Sequence, residues 1–100
     1  MTYSLIFSPS AQKSWNKLDS TVRSQFEKVL RRRVEEPHVP AARLGGAPNL
    51  YKIKLKGSGY RLAYQVREKQ LVLFVIGMGR RDQFYDELRR IGMASLSDFD

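Results

Sequence analysis

The chain has 100 residues, enough for one domain with a single small core. It has no cysteine and one histidine, which excludes a disulfide framework, a Cys/His zinc site and a histidine-rich metal site. Eighteen Lys and Arg residues against ten Asp and Glu residues give a net charge of +8, which suits a phosphate-rich or acidic partner. No leader pattern and no membrane-length apolar run occurs in the sequence, so we expect a cytoplasmic protein without membrane contact.

The first third of the chain predicts one strand followed by two helices. Alternating apolar residues at 2–7 indicate a short half-buried strand, with Tyr3, Leu5 and Phe7 on one side. Ser8 then supplies a helix cap ahead of a proline, and Asp19 with Ser20 marks a second cap. Apolar residues recur at helical spacing in both helices: Ala11, Trp15 and Leu18 in the first, then Val22, Phe26, Val29, Leu30 and Val34 in the second. The segment Glu35-Glu36-Pro37 ends the second helix.

The rest of the chain predicts a long loop, three strands and a last helix. Residues 37–50 hold three prolines and two adjacent glycines, and apolar runs follow at 50–57, 60–67 and 71–78. Short turns between these runs make them antiparallel neighbours, and the third run is apolar on both faces, as in a central strand. We therefore predict an α+β fold: a mostly antiparallel four-stranded sheet, two amino-terminal helices packed on it and a short carboxy-terminal helix. We assign 1–92 to this domain and 93–100 to a flexible acidic tail.

The stretch YKIKLKGSGYRLAYQV, which begins at residue 51, carries lysines at alternate positions. Its two apolar sets, odd-numbered in 51–55 and even-numbered in 60–66, must share one face because a one-residue slip would turn a strand over. The simplest hairpin has a two-residue turn at Ser58-Gly59, with Lys56 across from Arg61. Lys52, Lys54, Lys56 and Arg61 then share the opposite face. Facing like charges destabilise a strand pair, so this face is predicted to bind an anion.

The chain reversal after the third run adds further basic residues to this edge of the sheet. It brings Arg80 and Arg81 there, and Tyr85 follows Arg81 by one helical turn. The sequence therefore predicts one anion-binding site made by Lys52, Lys54, Arg61, Arg81 and Tyr85.

Each of these patterns also has a structural interpretation. Alternate lysines are typical of the solvated side of an antiparallel sheet, and Tyr85 also fits the rim of a core. The run Arg31-Arg32-Arg33 fits a solvated helix face or a docking patch, and His38 has no catalytic companion.

Four stretches carry a family resemblance: LDSTVR (18–23), YKIKL (51–55), GYRLAYQV (59–66) and FVIGMGRR (74–81). Over residues 1–85 the chain closely resembles the RelE toxins of bacterial toxin–antitoxin pairs. The resemblance implies the RelE/ParE fold and an endoribonuclease that needs no metal or cofactor and cuts mRNA in the ribosomal A site. It also implies catalytic roles for two lysines of the YKIKL strand, the arginine of GYRL, an arginine after the last strand and a tyrosine of the last helix, here Lys52, Lys54, Arg61, Arg81 and Tyr85.

The resemblance further implies three partners. They are an antitoxin that wraps the toxin and blocks its basic face, the ribosome with its 16S rRNA and mRNA, and operator DNA bound through the antitoxin. The other basic residues of this region, Arg43, Lys56 and Arg80, are then candidates for RNA binding. Two departures stand out: Gly45-Gly46 occupies a place where relatives often carry a basic residue, with Arg43 nearby, and the step from Arg81 to Tyr85 is shorter than in some branches of the family. Two other functions stay open, a ParE-like inhibitor of DNA gyrase and a non-catalytic RNA-binding domain.

Overall fold

The computed structural model describes residues 1–92. Its elements are, in chain order, strand β1 (Ser4–Phe7), helix α1 (Pro9–Asn16), helix α2 (Ser20–Arg33), strand β2 (Leu50–Lys54), strand β3 (Tyr60–Arg67), strand β4 (Val72–Arg80) and helix α3 (Arg81–Ile91). The long loop contains one 3₁₀ turn at Pro40–Ala42. The predicted α+β class and element order are confirmed. The acidic tail predicted at 93–100 lies outside the described residues.

The four strands form one sheet in the order β1-β4-β3-β2. β3 pairs antiparallel with both β2 and β4, whereas β1 pairs parallel with β4. The parallel pair is possible because the whole chain between β1 and β4 supplies the crossover that such a pair requires. The sheet is thus mixed but mostly antiparallel, and the run predicted to be central is the inner strand β4.

Both predicted helix caps are present. The Ser8 hydroxyl accepts a hydrogen bond from the Ala11 N–H at 3.1 Å, and the Asp19 carboxylate accepts one from the Thr21 N–H at 3.2 Å. Each cap satisfies an N–H that the first turn of a helix leaves without a partner. No helix in residues 1–92 is long and apolar enough to cross a membrane.

Helices α1 and α2 cover one side of the sheet, which we call the helix face. Its buried side chains come from both helices and from the strands, and they include Ala11, Val22, Phe26, Leu30, Ile53, Leu62, Tyr64, Leu73 and Val75. Trp15 packs between Phe7 and Phe26, with ring centroids 5.1 and 6.4 Å away. The half-buried pattern predicted for the first strand is wrong at Leu5, which is 40% exposed. β1 is an edge strand, so its side chains have neighbouring strands on one side only.

Helix α3 packs on the opposite side of the sheet, which we call the α3 face. Two glycines of β4 allow the close approach: a Cβ at Gly77 would lie 3.2 Å from Cγ of Glu87, and one at Gly79 would lie 3.2 Å from Cβ of Gln83. The buried residues on this side are Leu50, Ala63, Ile76, Phe84 and Leu88. Strand alternation puts Lys52 and Lys54 on the α3 face with Leu50, and Arg61 there with Ala63.

Candidate active site

Strands β2 and β3 place Lys54 directly across from Arg61, and Lys52 across from Ala63. The predicted shared face is therefore present, but the predicted register is wrong by two residues, because Lys56 does not face Arg61. The hairpin closes between Leu55 and Tyr60, whose N–H and carbonyl are 2.9 Å apart, and leaves a four-residue loop at 56–59. Gly59 ends this loop with φ of 76°, the positive value predicted for it. A shift of two residues preserves which face each side chain occupies, so the shared face survives the error.

Arg61 is buried without a matching anion. Its residue is 8% exposed, its Nη1 donates to the Gly59 carbonyl at 3.5 Å, and its Nε has no hydrogen-bond partner among the described residues. Across the sheet it faces Gly79, where the first turn of α3 packs. A buried cation without a hydrogen-bonded anion is costly, so this position favours a bound phosphate.

The two lysines of β2 extend this positive charge to the edge of the sheet. Lys54 is exposed and Lys52 is half-buried. Neither forms an ion pair with a carboxylate in residues 1–92. Lys52, Lys54 and Arg61 thus form one cationic surface on the α3 face.

Arg81 and Tyr85 stand at the start of α3, the helix that packs beside Arg61. Arg81 is its first residue and is exposed. Tyr85 lies one turn later, half-buried, with its ring edge-on to Phe84 at a centroid distance of 5.0 Å. Tyr85 therefore packs at the rim of the apolar cluster on the α3 face, one helical turn from Arg81.

The three predicted RNA-binding residues occupy different places in the fold. Arg80 ends β4 with its guanidinium 5.3 Å from the Tyr60 ring centroid, and Tyr60 packs against the core of the helix face. Arg80 is therefore on the other side of the sheet from Arg61. Arg43 forms a single antiparallel bridge to Tyr51 at the outer edge of β2, and Lys56 is exposed in the hairpin loop.

Comparison with known proteins assigns the chain to a family. The family model for the ParE toxin of the type II toxin-antitoxin system parDE matches residues 5–85. The mRNA interferase toxin RelE of Escherichia coli K12 is 49% identical over 83 residues, covering 83% of this chain and 87% of the relative. The chain belongs to the RelE/ParE family of toxins. Because this relative is a RelE protein, the chain is assigned to the RelE branch of the family, as the resemblance implied.

Solved structures of RelE have the same fold. A free-state structure of an E. coli RelE mutant has a TM-score of 0.82 and 45% identity, and the match covers 91% of this chain and 98% of that one. The toxin in the intact E. coli RelBE toxin-antitoxin complex has a TM-score of 0.77 and 49% identity, over 79% of this chain and 96% of that one. This RelE-family chain therefore has the predicted RelE/ParE fold.

His38, to which the sequence assigned no role, joins three segments of this RelE-family fold. Its Nδ1 lies 2.9 Å from the Tyr51 hydroxyl, and its Nε2 contacts the Glu68 carboxylate. The Tyr3 hydroxyl donates to the other oxygen of Glu68 at 2.7 Å. The bond from Tyr3, followed by the contact with His38, holds the pKa of Glu68 below its ordinary value, and the same bond raises the pKa of Tyr3. These contacts stabilise the loop and belong to the side of the sheet away from Arg61.

The Tyr64 hydroxyl is a buried polar group on the helix face, and it is fully partnered. The Tyr64 hydroxyl donates to the Pro37 carbonyl at 2.8 Å and accepts from Arg33 Nη1 at 2.8 Å. Burial raises the pKa of Tyr64. The last arginine of the run 31–33, predicted to be a solvated face or a docking patch, is therefore partly a structural residue.

Two basic residues of α2, Lys28 and Arg32, line a groove together with Lys54 and Lys56. From the sequence, Arg32 was identified only as part of the run 31–33, and Lys28 was not identified. Their spacing of four residues is visible in the sequence and puts them on one side of the helix. Only the packed structure reveals that this side of α2 lies next to the β2–β3 hairpin of the RelE-family fold.

Proposed function

We propose that this chain is an mRNA interferase, an endoribonuclease toxin that cleaves mRNA in the ribosomal A site. The observation that carries the proposal is Arg61, buried opposite Lys54 with an unpartnered Nε, in a chain 49% identical to the mRNA interferase toxin RelE. A site of this kind stabilises the negative charge that gathers on a phosphate during cleavage.

The reaction suited to these residues is attack by a ribose 2′-OH on the adjacent phosphate. A base takes the 2′-OH proton, the bond from phosphorus to the 5′ oxygen breaks, and an acid protonates that oxygen, leaving a cyclic phosphate and a 5′-OH. This chemistry needs no metal. Arg61 and Arg81 would hold the scissile phosphate, while Lys52 and Lys54 would stabilise charge, one of them moving a proton. Tyr85 would orient the 2′-OH or stack on a base.

The absence of a histidine from this set accounts for dependence on the ribosome. A lysine ammonium group exchanges protons near neutral pH less effectively than an imidazole. A substrate held in reactive geometry by the ribosome compensates for such a site. Arg43, Lys56 and Arg80 would contact RNA outside the reacting nucleotides, with Arg80 reaching 16S rRNA from the opposite side of the sheet.

The toxin acts in the cytoplasm, where its ribosomal substrate is, and a cognate antitoxin neutralises it by covering the basic α3 face. The intact RelBE toxin-antitoxin complex of a relative supports such a partner. Binding of the toxin–antitoxin complex to its own operator DNA would run through the antitoxin.

Primer extension on mRNA in programmed ribosomes tests the proposed function. The expected result is a new 5′ end within the A-site codon that requires both toxin and ribosome. Intact A-site codons together with degraded free RNA would contradict it. The ParE description of the matching family model favours one alternative, inhibition of DNA gyrase, and a supercoiling assay run in parallel would detect that activity.

A further inference from the structure

A shallow groove of about 310 Å³ lies between α2 and the β2–β3 hairpin. Its cationic residues are Lys28 and Arg32 from the helix with Lys54 and Lys56 from the hairpin, and Val29 and Leu55 add aliphatic surface. Of the described residues that line it, none is acidic and none is aromatic. The groove is therefore a concave, positively charged surface at the β2 edge of the sheet.

The charges of this groove repel one another. Lys28 and Arg32 are four residues apart on α2, a spacing at which like charges destabilise a helix. None of the four cations forms an ion pair with a carboxylate in residues 1–92. Arg32 lies in the last turn of α2, where attraction to the carboxyl end of the helix offsets the repulsion. The other three cations lie outside that turn. A bound anion would offset the repulsion among the other three cations.

We propose that this groove binds backbone phosphates of the mRNA strand next to the scissile phosphate, an inference that rests on the proposed function. Lys54 both lines the groove and faces Arg61, so the two cationic surfaces are continuous around the β2 edge. Without an aromatic ring the groove has no platform for stacking a base, and it contacts the backbone regardless of sequence. Beyond Arg32 the surface includes Glu35 and Glu36. Their negative charges repel phosphates, so the proposed phosphate-binding surface ends there.

Binding of a short oligoribonucleotide tests this inference without cleavage. The probe carries 2′-O-methyl groups throughout, so that it has no attacking hydroxyl, and a fluorophore for anisotropy. The double variant Lys28→Gln/Arg32→Gln should bind it about tenfold more weakly, and its salt slope should fall by about 1.4, or about 0.7 for each phosphate that the protein no longer neutralises. Lys13→Gln/Lys69→Gln removes the same charge from exposed lysines elsewhere and should bind like wild type. The charge-keeping pair Lys28→Arg/Arg32→Lys should restore affinity.

Cleavage on ribosomes gives a second readout. The groove variant should raise KM about tenfold with kcat unchanged, because the groove cations stabilise the ground state and the transition state equally. Equal oligonucleotide binding by the groove variant and the lysine control would overturn the inference. So would a loss of affinity confined to ribosomes without mRNA, which would identify ribosomal RNA as the occupant. If the wild-type protein binds the probe through the groove but leaves A-site mRNA uncut, the proposed function is wrong, whereas the inference that the groove binds RNA phosphates is supported.

Discussion

The two faces of the sheet differ in whether their polar groups have hydrogen-bond partners. On the helix face the Tyr64 hydroxyl has both a donor and an acceptor, and His38 contacts both Tyr51 and Glu68. On the α3 face Arg61 is as deeply buried as many core residues, yet its Nε has no partner among the described residues. Polar groups of the first kind stabilise the fold, whereas the second kind costs stability unless a ligand supplies the missing charge. The comparison therefore distinguishes residues that stabilise the fold from the residue proposed to bind the substrate phosphate.

The largest effect is expected where the helix face is packed most tightly. Phe26 is fully buried between Trp15 and the sheet, so Phe26→Ala should lower the free energy of unfolding by about 3–5 kcal/mol. Urea denaturation followed by circular dichroism measures this loss. A loss below about 1 kcal/mol would mean that α2 does not pack on the sheet as described.

The second effect concerns activity and should leave stability unchanged. Arg81 is exposed at the start of α3, so Arg81→Ala should slow A-site cleavage by about 10²–10³-fold, the usual effect of removing one group that stabilises transition-state charge. Its melting temperature should stay at the wild-type value. A parallel fall in melting temperature and activity would assign Arg81 to the fold instead of the reaction.

The smallest effect is a pH dependence on the helix face. The folded-state pKa of Glu68 is lowered from 4.5, so its stabilising contribution is present above that pH and is lost as the pH falls through the folded pKa. Glu68→Gln should therefore destabilise the protein at pH 7 by less than about 1 kcal/mol, as for other exposed pairs. The difference from wild type should shrink as the pH falls below 4.5. A difference that is the same at pH 7 and pH 3 would show that the carboxylate charge does not contribute.

The sequence predicted element order, helix caps and shared strand faces because each depends on local chemistry or on alternation. Alternation fixes which face a residue occupies but leaves register open by multiples of two, and the length of the loop after Leu55 decided the pairing of Lys54 with Arg61. The side of the sheet on which Arg80 lies could not be predicted from the sequence for another reason. β4 is apolar on both faces, so its sequence does not show which residues point to which side of the sheet. Ile76 is an unpaired residue between Val75 and Gly77, and it switches the side on which the following residues lie.

The roles of His38 and of Lys28 with Arg32 depended on tertiary contacts between distant segments. His38 and Glu68 are separated by a loop and two strands, and no local pattern indicates that they meet. The groove likewise requires α2 to lie beside the hairpin. Sequence patterns predict which residues share one side of a helix or strand. Which other element that side contacts is known only from the packed structure.

A matched pair of arginine variants tests the central claim most directly. Arg61→Met and Arg33→Met each replace a guanidinium by a shorter, uncharged thioether, one on each face of the sheet, and both are measured by A-site cleavage and by urea denaturation. Arg61→Met should reduce kcat by about 10²–10³-fold without loss of stability, because it removes a buried charge that has no partner. Arg33→Met should keep kcat and lose about 1–2 kcal/mol, because it removes the donor to Tyr64. Retained cleavage by Arg61→Met together with a large loss of its stability would contradict the assignment of the α3 face to catalysis.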